Sequence, residues 1–203
     1  MTSLDSITIE VADPAAAEHF YATFGVDVRI RASQEPTTGF RGFTLSLIAA
    51  QPADVNALVD AAVGAGATVI KPVTKSMWGY GGVVRAPDGT IWKVATSAKK
   101  DTGPASTRVD SIVLLLGVAD MAASKRFYVD RGFTVSKSFA RMYAEFDGGA
   151  VKLALYRRRA LAKDAGVPPE GTGSHRISLG STIDPCVDPD GFTWETTDVT
   201  ARS

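Results

Sequence analysis

The sequence predicts an α+β protein built from two tandem strand-helix-strand modules of βαβββ type. Three observations carry this: an internal repeat, a period-two apolar pattern ahead of each helix signal, and a turn-strand motif that closes each half. The segment Ser6 to Gly25 returns 107 positions later, with Val11-Ala12-Asp13 recurring as Val118-Ala119-Asp120, Phe20-Tyr21 as Phe127-Tyr128 and Gly25 as Gly132. Pro87-Asp88-Gly89-Thr90-Ile91-Trp92-Lys93 closes the first half, and Pro189-Asp190-Gly191-Phe192-Thr193-Trp194-Glu195 closes the second. The expected organisation is a first module over 1–97, a polar linker over 98–107 (AKKDTGPAST) and a second module over 108–203.

Each element has a local cause. Ile7, Ile9 and Val11 alternate with Ser6, Thr8 and Glu10, the pattern of a strand with one buried face. Asp13 suits a helix N-cap and Pro14 the first turn, where its missing N–H costs nothing. Phe20 and Phe24 share a helix face, and Gly25 can adopt the left-handed conformation that ends the helix. An amphipathic strand is expected over Phe43 to Ile48, then a second helix from Pro52 to Ala65 with Val55, Leu58, Val59 and Ala62 on one face. Met77 to Gly82 combines aromatic surface with glycine, which suits a loop closing over a flat apolar ligand. In the second half Asp120 caps the helix and Gly132 ends it. Arg141 to Phe146 and Val151 to Tyr156 flank Asp147-Gly148-Gly149, a hairpin signal. A short helix over Arg158 to Ala165 and a strand over His175 to Leu179 follow, and the basic run Arg157 to Arg159 reads as a solvated helix face. Neither half looks self-sufficient, so the two should pack as one body.

Composition narrows the function classes. Lys plus Arg (22) balance Asp plus Glu (22), which gives no overall field favouring nucleic acid or an acidic membrane. No leader pattern opens the sequence and no run approaches the ~18 apolar residues of a membrane span, so a cytoplasmic protein is expected. The single cysteine, Cys186, rules out an internal disulfide or a multi-cysteine zinc site. The expected partner is a small-molecule ligand, without nucleic acid or membrane, and a homodimer stays open.

Two copies of V-A-D, F-Y and P-D-G-x-x-W-[EK] in order resemble the glyoxalase/bleomycin-resistance/dioxygenase proteins, the vicinal oxygen chelate superfamily. The resemblance covers nearly the whole chain. It implies curved mixed sheets around a shared pocket, and in the enzymes a divalent metal held by a first-strand histidine, often a middle-strand histidine, and the glutamate of the closing motif. Such a metal polarises vicinal oxygens of a substrate. Carried over by position, the first-strand histidine is Ser6 in the first half and Val113 or Ser111 in the second. The closing glutamate is Lys93 in the first half, whose protonated amine has no lone pair. Glu195 keeps it in the second, and His175 opens a strand where a second histidine is carried.

Two ligands fall short of the three usual in open catalytic sites, so no metal or other cofactor is expected. Lys93 and Glu195 are repeat equivalents, and the expectation is that they face one interior cavity and compensate each other's charge. The ligand-binding residues expected are Trp78, Tyr80, Lys93, Tyr143, Tyr156, His175 and Glu195. Two function classes remain. One is a metal-independent binder of a small hydrophobic or aromatic molecule. The other is an enzyme, either a metal-dependent lyase, isomerase or dioxygenase using His175 and Glu195, or a metal-free one using either as a base.

Overall fold

The computed structural model describes residues 2–77 and 79–197, so Trp78 lies outside the described residues. The first half runs β1 (Ser6–Val11), α1 (Pro14–Phe24), β2 (Arg29–Ala32), β3 (Thr37–Gly39), β4 (Phe43–Ile48), α2 (Pro52–Gly64), β5 (Thr68–Ser76), β6 (Gly79–Arg85) and β7 (Ile91–Thr96). The second runs β8 (Ser111–Val118), α3 (Met121–Asp130), β9 (Val135–Phe139), β10 (Tyr143–Phe146), β11 (Val151–Arg157), α4 (Arg158–Ala165), β12 (Gly171–Gly173), β13 (Ile177–Ser181), β14 (Cys186–Val187) and β15 (Thr193–Thr196). The caps act as the repeat requires. Asp13 accepts from the Ala16 N–H at 3.0 Å, Asp120 from the Ala122 N–H at 2.9 Å, and Gly25 (φ 79°) and Gly132 (φ 88°) take the left-handed conformation.

The halves interlock. One mixed sheet has the order β14-β15-β13-β1-β2, so the first strand and β2 of the first half join the closing strands of the second. The other has the order β5-β6-β7-β4-β8-β11-β10-β9, with β4 and β8 antiparallel across the seam. Strands β3 and β12 form a two-stranded ribbon that also crosses between the halves. One apolar core runs from Ile7, Ile9 and Val11 through α1 and α3 to Leu45, Leu47 and Trp92. Trp92 packs on Tyr21 and Phe24, with ring centroids at 5.7 and 5.6 Å, and its repeat equivalent Trp194 packs on Tyr128 and Phe133 at 5.6 and 5.5 Å. The linker is tied down as well: buried Gln51 accepts from the Thr102 and Gly103 N–H groups at 2.7 and 3.0 Å, and Asp54 from the Ser106 N–H at 2.7 Å.

Three local readings are corrected. The stretch Met77 to Gly82 is no lid, because from Gly79 onward it is strand β6, paired on both sides. A Cβ at Gly79 would lie 2.1 Å from the Thr96 carbonyl oxygen, and one at Gly81 2.7 Å from that of Val94. These glycines therefore let the neighbouring strands close up. The strand expected over His175 to Leu179 begins at Ile177, which leaves His175 in the approach to it. Arg158 is not simply solvated: it donates to the carbonyls of Phe40 at 2.8 Å and Pro169 at 3.1 Å, anchoring α4.

Candidate functional site

Because side chains alternate along a strand, each large sheet has an inner face in the core and an outer face. The strand registers place the superfamily's ligand positions in two rows on the outer faces. In the five-stranded sheet Ser6 lies opposite Gly180, which lies opposite Glu195. In the eight-stranded sheet Val113 lies opposite Ser46, which lies opposite Lys93. This register makes Val113 the counterpart of Ser6. Among the described residues no three His, Cys, Asp or Glu side chains are grouped to hold a metal ion. Serine, glycine and glutamate in one row, and valine, serine and lysine in the other, do not fit the metal that the resemblance implies.

The charges at the closing positions meet cations and anions of the chain itself. The Arg31 guanidinium, carried by β2 beside β1, reaches Glu195 at 2.8 Å and Glu10 at 2.6 Å, and also donates to the Ser178 hydroxyl. Lys93 reaches Asp164 of α4 at 2.7 Å. The expected pairing of Lys93 with Glu195 is thus overturned: they stand on different sheets, each with another partner. Repeat equivalence gave each the same place in its own row, and the two rows lie on separate sheets.

The Arg31 hydrogen bond holds the Glu195 carboxyl below its ordinary range. A folded-state value below the unfolded one contributes stability above the unfolded carboxylate value of about 4.3, lost as pH falls through the folded value. Arg31→Met is therefore expected to lower stability at pH 7 by on the order of 1 kcal/mol or less, since both groups are half-exposed. Urea unfolding should show the difference from wild type shrinking below about pH 4. A difference independent of pH would contradict this account of the pair.

The other expected site residues scatter. Tyr80 points to the inner face, where its hydroxyl donates to Asn56 of α2 at 2.9 Å, so it does not share a face with Lys93. His175 stacks on Phe192 at 4.0 Å, and its Nδ1 and Nε2 face the carbonyl oxygens of Arg41 at 2.5 Å and Asp190 at 3.1 Å. Each ring nitrogen abuts a carbonyl oxygen of the chain, so neither is open to a ligand. Among the described residues Tyr80 and Lys93 both line one open cavity beside Asp164, and Tyr143 and Tyr156 form a cross-strand pair at 6.2 Å extended by exposed Phe139. The Tyr143 hydroxyl donates to Glu145 at 2.7 Å, and burial together with that carboxylate raises its pKa.

The outer face of the eight-stranded sheet also carries α4. Leu161, Ala162 and Ala165 are buried there against Val83, Ile91 and Phe40, with Leu115 and Tyr156 alongside, as a second apolar cluster separate from the main core. Beside α4, under the β3–β12 ribbon, lies a cavity of about 330 Å³ walled by Phe40, Phe43, Ile91, Val167 and Pro168. It is large enough to enter the ~300–1,000 Å³ range typical of small-molecule sites. Arg41, Arg85, Thr37 and Thr90 add polar groups to its lining. The cavity could not be read from the sequence because its walls come from segments far apart in the chain; the local hint was the first closing motif, whose Gly89, Thr90 and Ile91 line it.

Comparison with solved structures shows the same architecture elsewhere. Glyoxalase I from Zea mays matches over 98% of this chain and 92% of its own, with a TM-score of 0.61 at 13% identity. A putative dioxygenase from Bacillus subtilis matches over 96% of this chain and 84% of its own, with a TM-score of 0.59 at 8% identity. The chain therefore has the glyoxalase fold, that of the superfamily its repeated motifs resemble. No family model and no curated protein sequence matches it. No helix among the described residues is long and apolar enough to cross a membrane.

Proposed function

We propose that this protein binds a small hydrophobic or aromatic molecule, without a complete metal site, in the cavity between α4 and the β3–β12 ribbon. The observation that carries the reading is the engagement of both closing positions in ion pairs with Arg31 and Asp164, beside an apolar-walled cavity on the same outer face as Lys93. Apolar walls with a few polar groups are the usual composition of a ligand site. A cytoplasmic setting belongs to the same proposal. The enzyme reading that uses His175 and Glu195 is not favoured by any contact these residues make.

The neutral dye N-phenyl-1-naphthylamine tests it, because its fluorescence rises in an apolar site. Saturable binding near one equivalent is expected, lost in Val167→Trp, which fills the cavity, and kept in Tyr143→Ala, which removes the exposed aromatic pair. No saturable binding would overturn the proposal, and loss in Tyr143→Ala alone would move the site to β9–β11.

A further inference from the structure

The same cavity holds more hydrogen-bonding capacity than its own walls use. Arg41 donates through Nη2 to the Asp88 carbonyl at 2.6 Å, while its Nη1 is buried without a partner. The Thr37 hydroxyl is likewise buried without a partner, whereas that of Thr90, which is 1% exposed, is turned to the buried Tyr21 hydroxyl. Buried polar atoms almost always find a partner, so two orphans on one cavity call for an explanation.

The charges are as uneven as the hydrogen bonds. Among the described residues neither Arg41 nor Arg85 has a carboxylate within 4.0 Å. Asp88 does not supply one, since its carboxylate is committed to the Tyr21 hydroxyl at 2.7 Å and to the Thr90 N–H. Burial first, then the neighbouring charges of Arg176 and Arg85, lower the Arg41 pKa, with Asp88 opposing. Glu170 is the one acid lining the cavity, and it is exposed.

We infer that the ligand of this cavity is an anion on an apolar body, a carboxylate or phosphate held by Arg41 and Arg85, its body against Ile91, Val167 and Pro168. This rests on the cavity being the binding site. The guanidinium fork suits either oxyanion, and charge-assisted hydrogen bonds are the strong ones. The isosteric neutral amide keeps the apolar contacts and loses the charge.

Calorimetric titration of the full chain with 2-naphthoate, 2-naphthyl phosphate and 2-naphthamide separates these contributions. At least one of the two anions should bind about tenfold or more tighter than the amide, the equivalent of one charge-assisted bond. Which anion is preferred identifies the source class. Arg85→Gln, at an exposed strand end that should leave folding intact, should reduce the preference several-fold, and Arg41→Gln should do the same if its amide spectrum stays native. Amide and anions binding alike, or a preference undiminished in both Arg85→Gln and Arg41→Gln, would overturn the anion inference and leave the cavity reading standing. Failure of all three probes, or binding that persists in Val167→Trp, would overturn the cavity reading and this inference with it.

Discussion

Asp188→Ala should destabilise the protein by about 3–5 kcal/mol at neutral pH, because it strands several buried donors at once. Asp188 is 5% exposed, accepts from the Phe192 and Asp190 N–H groups at 2.9 Å each, and accepts the hydroxyl of fully buried Tyr128. It thereby pins α3 to the closing hairpin that carries Trp194. Burial raises the Asp188 carboxyl pKa, with the bonds from Tyr128, Phe192 and Asp190 opposing. A folded value raised above the unfolded one means that stability from this group is greatest below the unfolded value, about 3.9, and declines as pH rises through the folded one. Asp188→Asn keeps one acceptor oxygen and removes that slope, so it should be milder than alanine. Chemical denaturation across pH checks both statements, and an alanine variant within ~0.5 kcal/mol of wild type, the range of an ordinary surface change, would contradict them.

Leu161→Ala should cost about 2–5 kcal/mol in the docking of α4, the range for deleting a buried leucine. Leu161 is 0% exposed and central to the second apolar cluster, which is small and separate from the main core. The loss should therefore appear as local opening. Amide hydrogen exchange over α4 should accelerate by roughly 30-fold or more, while β8 and β11 beneath it change little. Equal acceleration in the strands would mean that α4 and the sheet unfold as one unit.

Much of the fold was legible because local signals agreed with one another. The alternation of Ile7, Ile9 and Val11, the cap at Asp13 and the glycine at Gly25 gave β1 and α1 their bounds, and Asp147-Gly148-Gly149 marked the β10–β11 hairpin, whose first strand starts at Tyr143 rather than Arg141. What could not be read was which strand of one half pairs with which of the other, since pairing depends on packing over long sequence separations. The repeat was also too literal a guide to side-chain roles. Tyr21 donates to Asp88 of its closing motif, but Tyr128 donates to Asp188, two residues ahead of the motif's own Asp190. Asp190 is drawn off by the Ala119 N–H at 2.7 Å and by Ser124 at 2.5 Å, and Ser124 stands where the first half has Ala17. One added hydroxyl accompanies a rewired hairpin. The candidate cavity was illegible for the same reason as the strand pairing: Arg41, Thr90 and Val167 share no motif and meet only in the folded chain.

The chain's own charges engage Lys93 and Glu195, the closing positions to which the resemblance assigns a metal ligand. Elemental analysis of protein equilibrated with zinc, manganese and nickel and then desalted tests it most directly. With Arg31 on Glu195 and Asp164 on Lys93, the account predicts no stoichiometric metal in wild type and none in Glu195→Ala. One equivalent of any of the three metals per chain, lost in Glu195→Ala, would contradict it and restore Glu195 as a ligand.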